Sequence, residues 1–151
     1  MPRYTGTPYP FQILQLPDKV VILYEGASHM YRTIYTDGRK HTNPDALNPT
    51  WMGESIGHYE GNDTFVVDTI GFNGRTWLDS NGHPATDALR LTEKFHRPDF
   101  GHMEIEITID DPKTYTKPWT VKENPHLLVD TELMEYICNE NEKDRQHLVR
   151  K

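Results

Sequence analysis

The chain has 151 residues, the length of one ordinary domain, with a formal net charge of −7 and a hydrophobic fraction of 35%. With Gly counted in and Tyr left out the apolar share is about 36%, against a usual 45–50%. Aromatics at 11% still supply enough ring area for a core. These figures exclude a transmembrane helix, a coiled coil and a disulfide scaffold. The acidic balance, with no run of Lys and Arg, argues against nucleic acid or a membrane as partner.

Apolar residues recur mostly at period two, which predicts strands. Phe11 to Leu16 and Val20 to Tyr24 flank Pro17-Asp18 and predict a hairpin; Met30 to Tyr35 is a third strand, stopped at Asp37-Gly38. Arg39 to Thr50 reads as a loop. Ser55 to Glu60 and Thr64 to Ile70 form a second hairpin across Gly61-Asn62-Asp63. Gly71 to Thr86 is a long polar loop around Trp77, of a size often given to function. Ala88 to Arg97 and His102 to Asp110 make a third hairpin. Trp119 to Glu123 and Glu132 to Cys138 are the last strands, and 139–150 predicts one short terminal helix.

About nine strands joined mainly by short turns predict one domain over 1–151, an antiparallel lipocalin-like (calycin-like) β-barrel. A cupin-like or jelly-roll sandwich is the alternative. No βαβ alternation or Gly-rich phosphate loop is present, so no nucleotide cofactor is expected.

Alternation divides each strand into two faces. His102 to Asp110 splits cleanly, with Met103, Ile105, Ile107 and Ile109 on one side. Elsewhere ionisable groups share an apolar face: Glu93 with Leu89, Leu91 and Phe95, and Arg97 at the end of that row; Asp68 with Val66 and Ile70; Glu135 with Leu133 and Ile137; His58 with Ile56. A carboxylate among apolar neighbours must find a cation or donors, or shift its pKa. These residues therefore predict an interior polar cluster of His58, Asp68, Glu93, Arg97 and Glu135. Its structural counterpart would be an ion pair of Glu93 with Arg97 plugging the barrel, and a bulge would invert a face.

Read functionally, the cluster suits proton transfer: His58 as base or acid, Asp68 and Glu93 as carboxylate partners, Arg97 as the cation orienting a small substrate. Trp77, Tyr59 and Glu135 are expected at the substrate. No Gly-x-Ser-x-Gly elbow exists, and the lone Cys138 sits among acids that oppose a thiolate. Eight histidines raise the question of a divalent metal, for which His58, Glu60 and His83 are weak candidates, since no His-x-His or His-Glu-x-x-His spacing occurs. In the tail, Glu140, Asp144 and His147 would share one helix face.

Trp51 to Gly61, Thr64 to Phe72, Arg75 to Asp79, Leu91 to Phe95, Ile109 to Pro112 and Lys117 to Thr120, with Pro10 to Ile13 and Val21 to Glu25, resemble a family of small β-rich bacterial proteins common in soil lineages. The resemblance implies one complete domain and, because many members carry a leader, an exported or periplasmic setting; this chain opens without a leader. It implies no activity. The leading expectation is a β-barrel enzyme of lyase, hydratase, isomerase or hydrolase type acting on a small organic molecule in an interior cavity. The alternatives are a non-catalytic lipocalin-like binding protein and a metal-dependent His/carboxylate enzyme; each leaves room for a homodimer.

Overall fold

Eight strands make one sheet in the computed structural model, which describes residues 2, 9–26 and 30–135. They are β1 (Phe11–Gln15), β2 (Lys19–Tyr24), β3 (Tyr31–Tyr35), β4 (Glu54–Glu60), β5 (Thr64–Ile70), β6 (Arg90–His96), β7 (Glu104–Asp110) and β8 (Trp119–Glu123), each beside the next in chain order. A single 3-10 turn, Pro44–Ala46, interrupts the connection from β3 to β4; its Asn43 side chain caps the Asp45 amide. No helix among the described residues is long and apolar enough to cross a membrane.

The sheet curls into a half-barrel. Its curl brings Val20, Ile22 and Ile34 of β2 and β3 into one apolar cluster with Leu91, Ile105, Ile107 and Ile109 of β6 and β7. Among the described residues β1 does not pair with β8, so the sheet is open rather than closed.

One pairing departs from the expected antiparallel meander. Strands β3 and β4 run parallel, in register through Ile34 with Ser55 and Tyr35 with Ile56. Parallel neighbours need a crossover of a dozen or more residues, and residues 36–53 are that crossover. The Asn- and Pro-rich composition of Arg39 to Thr50 marked a loop without revealing that it returns the chain to its starting end. The strand expected from Glu132 is also absent up to Glu135, where the chain is irregular. Its remainder, Cys138 and the helix expected over 139–150 lie outside the described residues.

Three cross-strand rows face inward. One is Ser55, Thr69, Leu91, Ile109 and Trp119; the next is Gly57, Val67, Glu93, Ile107 and Val121; the last is Tyr59, Phe65, Phe95, Ile105 and Glu123. Residues beyond the strands complete the core at the Trp119 end. Leu89, just before β6, is buried there with Phe72 and Leu78, so the long loop that carries the last two is partly core. Asp111, itself buried, ties this loop down by accepting from the Thr86 amide at 2.6 Å and the Thr86 hydroxyl at 2.7 Å.

Candidate functional site

At the opposite end, a cleft of about 700 Å³ opens where a closed barrel would be sealed. Its walls come from the start of β1 (Phe11, Ile13), the β6–β7 turn (Arg97, Phe100) and the segment after β8 (Leu127, Leu133). These pieces come from far apart in the sheet order and meet only because the sheet curls. The segment after β8 is held in place by backbone bonds: Met103 N donates to Pro125 O at 3.0 Å and Leu127 N to Gly101 O at 2.7 Å. Further on, the Met134 amide donates to the buried Glu25 carboxylate at 2.8 Å. Several apolar side chains of the cleft remain exposed, among them Ile13, Phe100, Leu127 and Leu128.

The turn that carries Arg97 is locally built. Asp99 Oδ1 accepts from the Gly101 amide at 2.7 Å and the His102 amide at 2.9 Å, and the His102 ring lies 2.9 Å from the same oxygen. The His102 contact and these amides hold the Asp99 carboxyl below its ordinary value. Arg97 donates to the backbone carbonyls of Asp99 and Phe100, and its guanidinium carbon sits 5.2 Å from the Phe100 ring centroid.

Two polar clusters lie elsewhere. The first is fully buried. Arg32, on the inward face of β3, donates to both Glu93 carboxylate oxygens, to Thr69 Oγ1 at 2.7 Å and to Ser55 Oγ at 3.0 Å. Ser55 and Thr69 are 3.0 Å apart, closing the network. Arg32 is 2% exposed and Glu93 0%. Such a pair satisfies its own desolvation through Coulomb attraction and hydrogen bonds rather than through solvent.

The second cluster is half-buried on the outer face. Asp68 accepts two bonds from Arg90, at 2.7 and 2.8 Å, and its Oδ2 is 3.0 Å from His41 Nε2. His41 Nδ1 is 2.9 Å from Glu54 Oε2, and Thr42 donates to Glu54 from its amide at 2.9 Å and its hydroxyl at 2.7 Å. Burial pushes the Glu54 carboxyl up, but the Thr42 and His41 contacts outweigh it and leave it below its ordinary value. These contacts fasten the crossover to β4 and β5.

The interior cluster expected from the sequence is not brought together. Glu93 does face inward, but its cation is Arg32, not Arg97. Arg97 lies past the end of β6, in the turn. His58 has 62% of its side chain exposed on the outer face, 3.6 Å from Glu60. Asp68 is also outward. Strands β4 and β5 carry apolar residues on both faces, and the inward ones are Phe65 and Val67, not Val66 and Ile70. On β4 the inward side is marked by small residues: a Cβ at Gly57 would strike the Phe65 ring and come within 2.9 Å of Ile34 Cγ2.

Tyr59 stands in the last inward row with its ring 4.9 Å from Phe65, half exposed. Trp77 is 60% exposed in the long loop, bridged to Pro84. Glu135 is exposed beyond the last strand. None of these three lines the cleft. His83 pairs with Asp79 at 2.6 Å in the long loop, and the hydrogen bond from His83 holds the Asp79 carboxyl below its ordinary value. Among the described residues no group of three or more His, Cys, Asp or Glu is placed to hold a metal.

Arg32 was legible by the same alternation that picked out Glu93, since it shares a face with Ile34. Its place in the network required knowing that β3 and β6 meet. No family model, curated protein or solved structure matches the chain.

Proposed function

We propose that the protein is a lipocalin-like binding module that takes a small, largely apolar molecule into the cleft between β1, the β6–β7 turn and the segment after β8. The observation that carries this reading is the cleft itself, about 700 Å³ and walled by Phe11, Ile13, Phe100, Leu127 and Leu133. Small-molecule sites typically run from about 300 to 1,000 Å³ with mainly apolar walls and a few polar groups. The proton-transfer chemistry expected of His58 and Glu93 would need them on one face, and they stand on opposite faces. The imidazole and guanidinium beside Asp68 belong to His41 and Arg90, which hold a loop.

Titration with the neutral fluorescent probe N-phenyl-1-naphthylamine tests the reading. The parent protein is expected to bind it, and Ile13→Trp, which fills the cleft from an exposed position, is expected to abolish the signal with an unchanged circular dichroism spectrum. A parent that gives no signal, or an Ile13→Trp variant that binds as well as the parent, overturns it.

A further inference from the structure

We infer that the ligand of this cleft carries a carboxylate head, and that Arg97 selects it; this rests on the cleft being a binding site. The chain is acidic overall, with 23 Asp and Glu against 16 Lys and Arg. In such a protein a cation without a counter-charge stands out. Among the described arginines, Arg32, Arg39 and Arg90 each pair with a carboxylate; Arg75 does not, but it does not line this cleft. Arg97 lines the cleft and has no carboxylate partner among the described residues.

Its nearest acid in sequence, Asp99, is committed to the turn. The Asp99 carboxylate accepts from Gly101 and His102, so only its backbone carbonyl meets Arg97. A guanidinium has five N–H donors and cannot be deprotonated in a protein. Two of the Arg97 donor nitrogens reach the carbonyls of Asp99 and Phe100, which fix the group without neutralising it. The remaining donors have no partner among the described residues. A preset fork of this kind matches the planar oxygens of a carboxylate better than a hydroxyl.

The rest of the wall agrees. His102 and His126, joined by a backbone bridge, line the same cleft, and its lining holds one acid, Glu132. Glu132 has no ion-pair partner among the described residues, and it gives the opposing outcome a physical basis: an amine-headed ligand. The apolar portion of the ligand would lie against Phe11, Ile13 and Leu127, with its head at the turn.

Displacement of bound N-phenyl-1-naphthylamine by dodecanoate, dodecanol and dodecylamine, at fixed pH above the carboxylate range, tests this. Dodecanoate is expected to displace the probe at about one tenth the concentration of dodecanol or less, the usual weight of a charge-assisted hydrogen bond. Arg97→Gln is expected to bring that ratio close to one, and Arg97→Lys to recover part of it. Equal displacement by dodecanoate and dodecanol, or tightest displacement by dodecylamine, overturns the carboxylate assignment while leaving the cleft a binding site. A ratio that survives Arg97→Gln removes Arg97 as its source. Absence of probe binding in the parent removes both readings at once.

Discussion

Arg32 and Glu93 show how one residue pair can decide a small β protein's interior. Both are charged, both are buried, and their hydrogen bonds to Ser55 and Thr69 leave the network closed. Removing one partner strands the other charge, which typically costs about 3–5 kcal/mol, whereas replacing both with apolar residues of similar volume is often neutral or better. Urea denaturation of Glu93→Gln is expected to show a loss of that order, and the double change Arg32→Met with Glu93→Leu is expected to recover much of it. A Glu93→Gln variant as stable as the parent would mean the pair is not what holds this region. Both residues break an apolar row in the sequence, Glu93 beside Leu91 and Phe95 and Arg32 beside Ile34. Nothing in the sequence joins the two rows, because β3 and β6 are not neighbours in the sheet.

The crossover of residues 36–53 is the least regular element, held by backbone bonds at Thr36 and Thr50 and by side chains, among which the polar ones carry a pH dependence. Its side-chain contacts to the sheet run through His41 and Thr42 to Glu54 and Asp68, and through Leu47, whose Cδ2 would lie 2.6 Å from a Cβ at Gly71. Glu54 has a folded pKa below its ordinary value of 4.5. A depressed carboxylate contributes stability that is fully present above its unfolded pKa and lost as pH falls through the folded one. The crossover is therefore expected to be protected from limited proteolysis at neutral pH and to lose that protection below about pH 4.5, with Glu54→Gln exposing it already at pH 7. Cleavage that is equally slow at pH 7 and pH 3.5, measured with acid- and neutral-active proteases of matched specificity, would contradict this. The strands themselves were readable, because period-two patterning and Gly or Pro turns bounded all eight to within two residues at each end. Faces were readable only where one side was wholly polar, as in β7. Thr64 to Ile70 has Phe65 and Val67 on one side and Val66 and Ile70 on the other, so its alternation left the inward side undecided.

For the molecule as a whole, the low apolar content has two separate causes. Part of it is the buried Arg32 network, where charged and hydroxyl side chains occupy core positions. Part is the pair of long connections, one of which nonetheless contributes Phe72, Leu78 and Leu89 to the core. The cleft could not be read from the sequence at all. It arises from pieces that the curl brings together, and no local pattern states the degree of curl.

The two-residue parallel pairing between β3 and β4 has a consequence for how the chain folds. Every other neighbouring pair shares five or more register positions, so this is the narrow seam of the sheet. On its far side, β4 to β8 is an antiparallel series in which every strand pairs with its neighbour in sequence, and near-neighbour contacts form fast. β1 to β3 is a smaller ribbon that must dock across the seam, where Arg32 is the stitch. Folding is thus expected to begin in β5–β7, with β1–β3 arriving late and leaving first. Native-state hydrogen exchange in low denaturant should show β1–β3 amides opening below the global unfolding free energy, separately from those of β5–β7. Simultaneous exchange of both groups would mean that the seam does not divide the molecule. Because β1 forms one wall of the cleft, the same partial opening would give a ligand its way in.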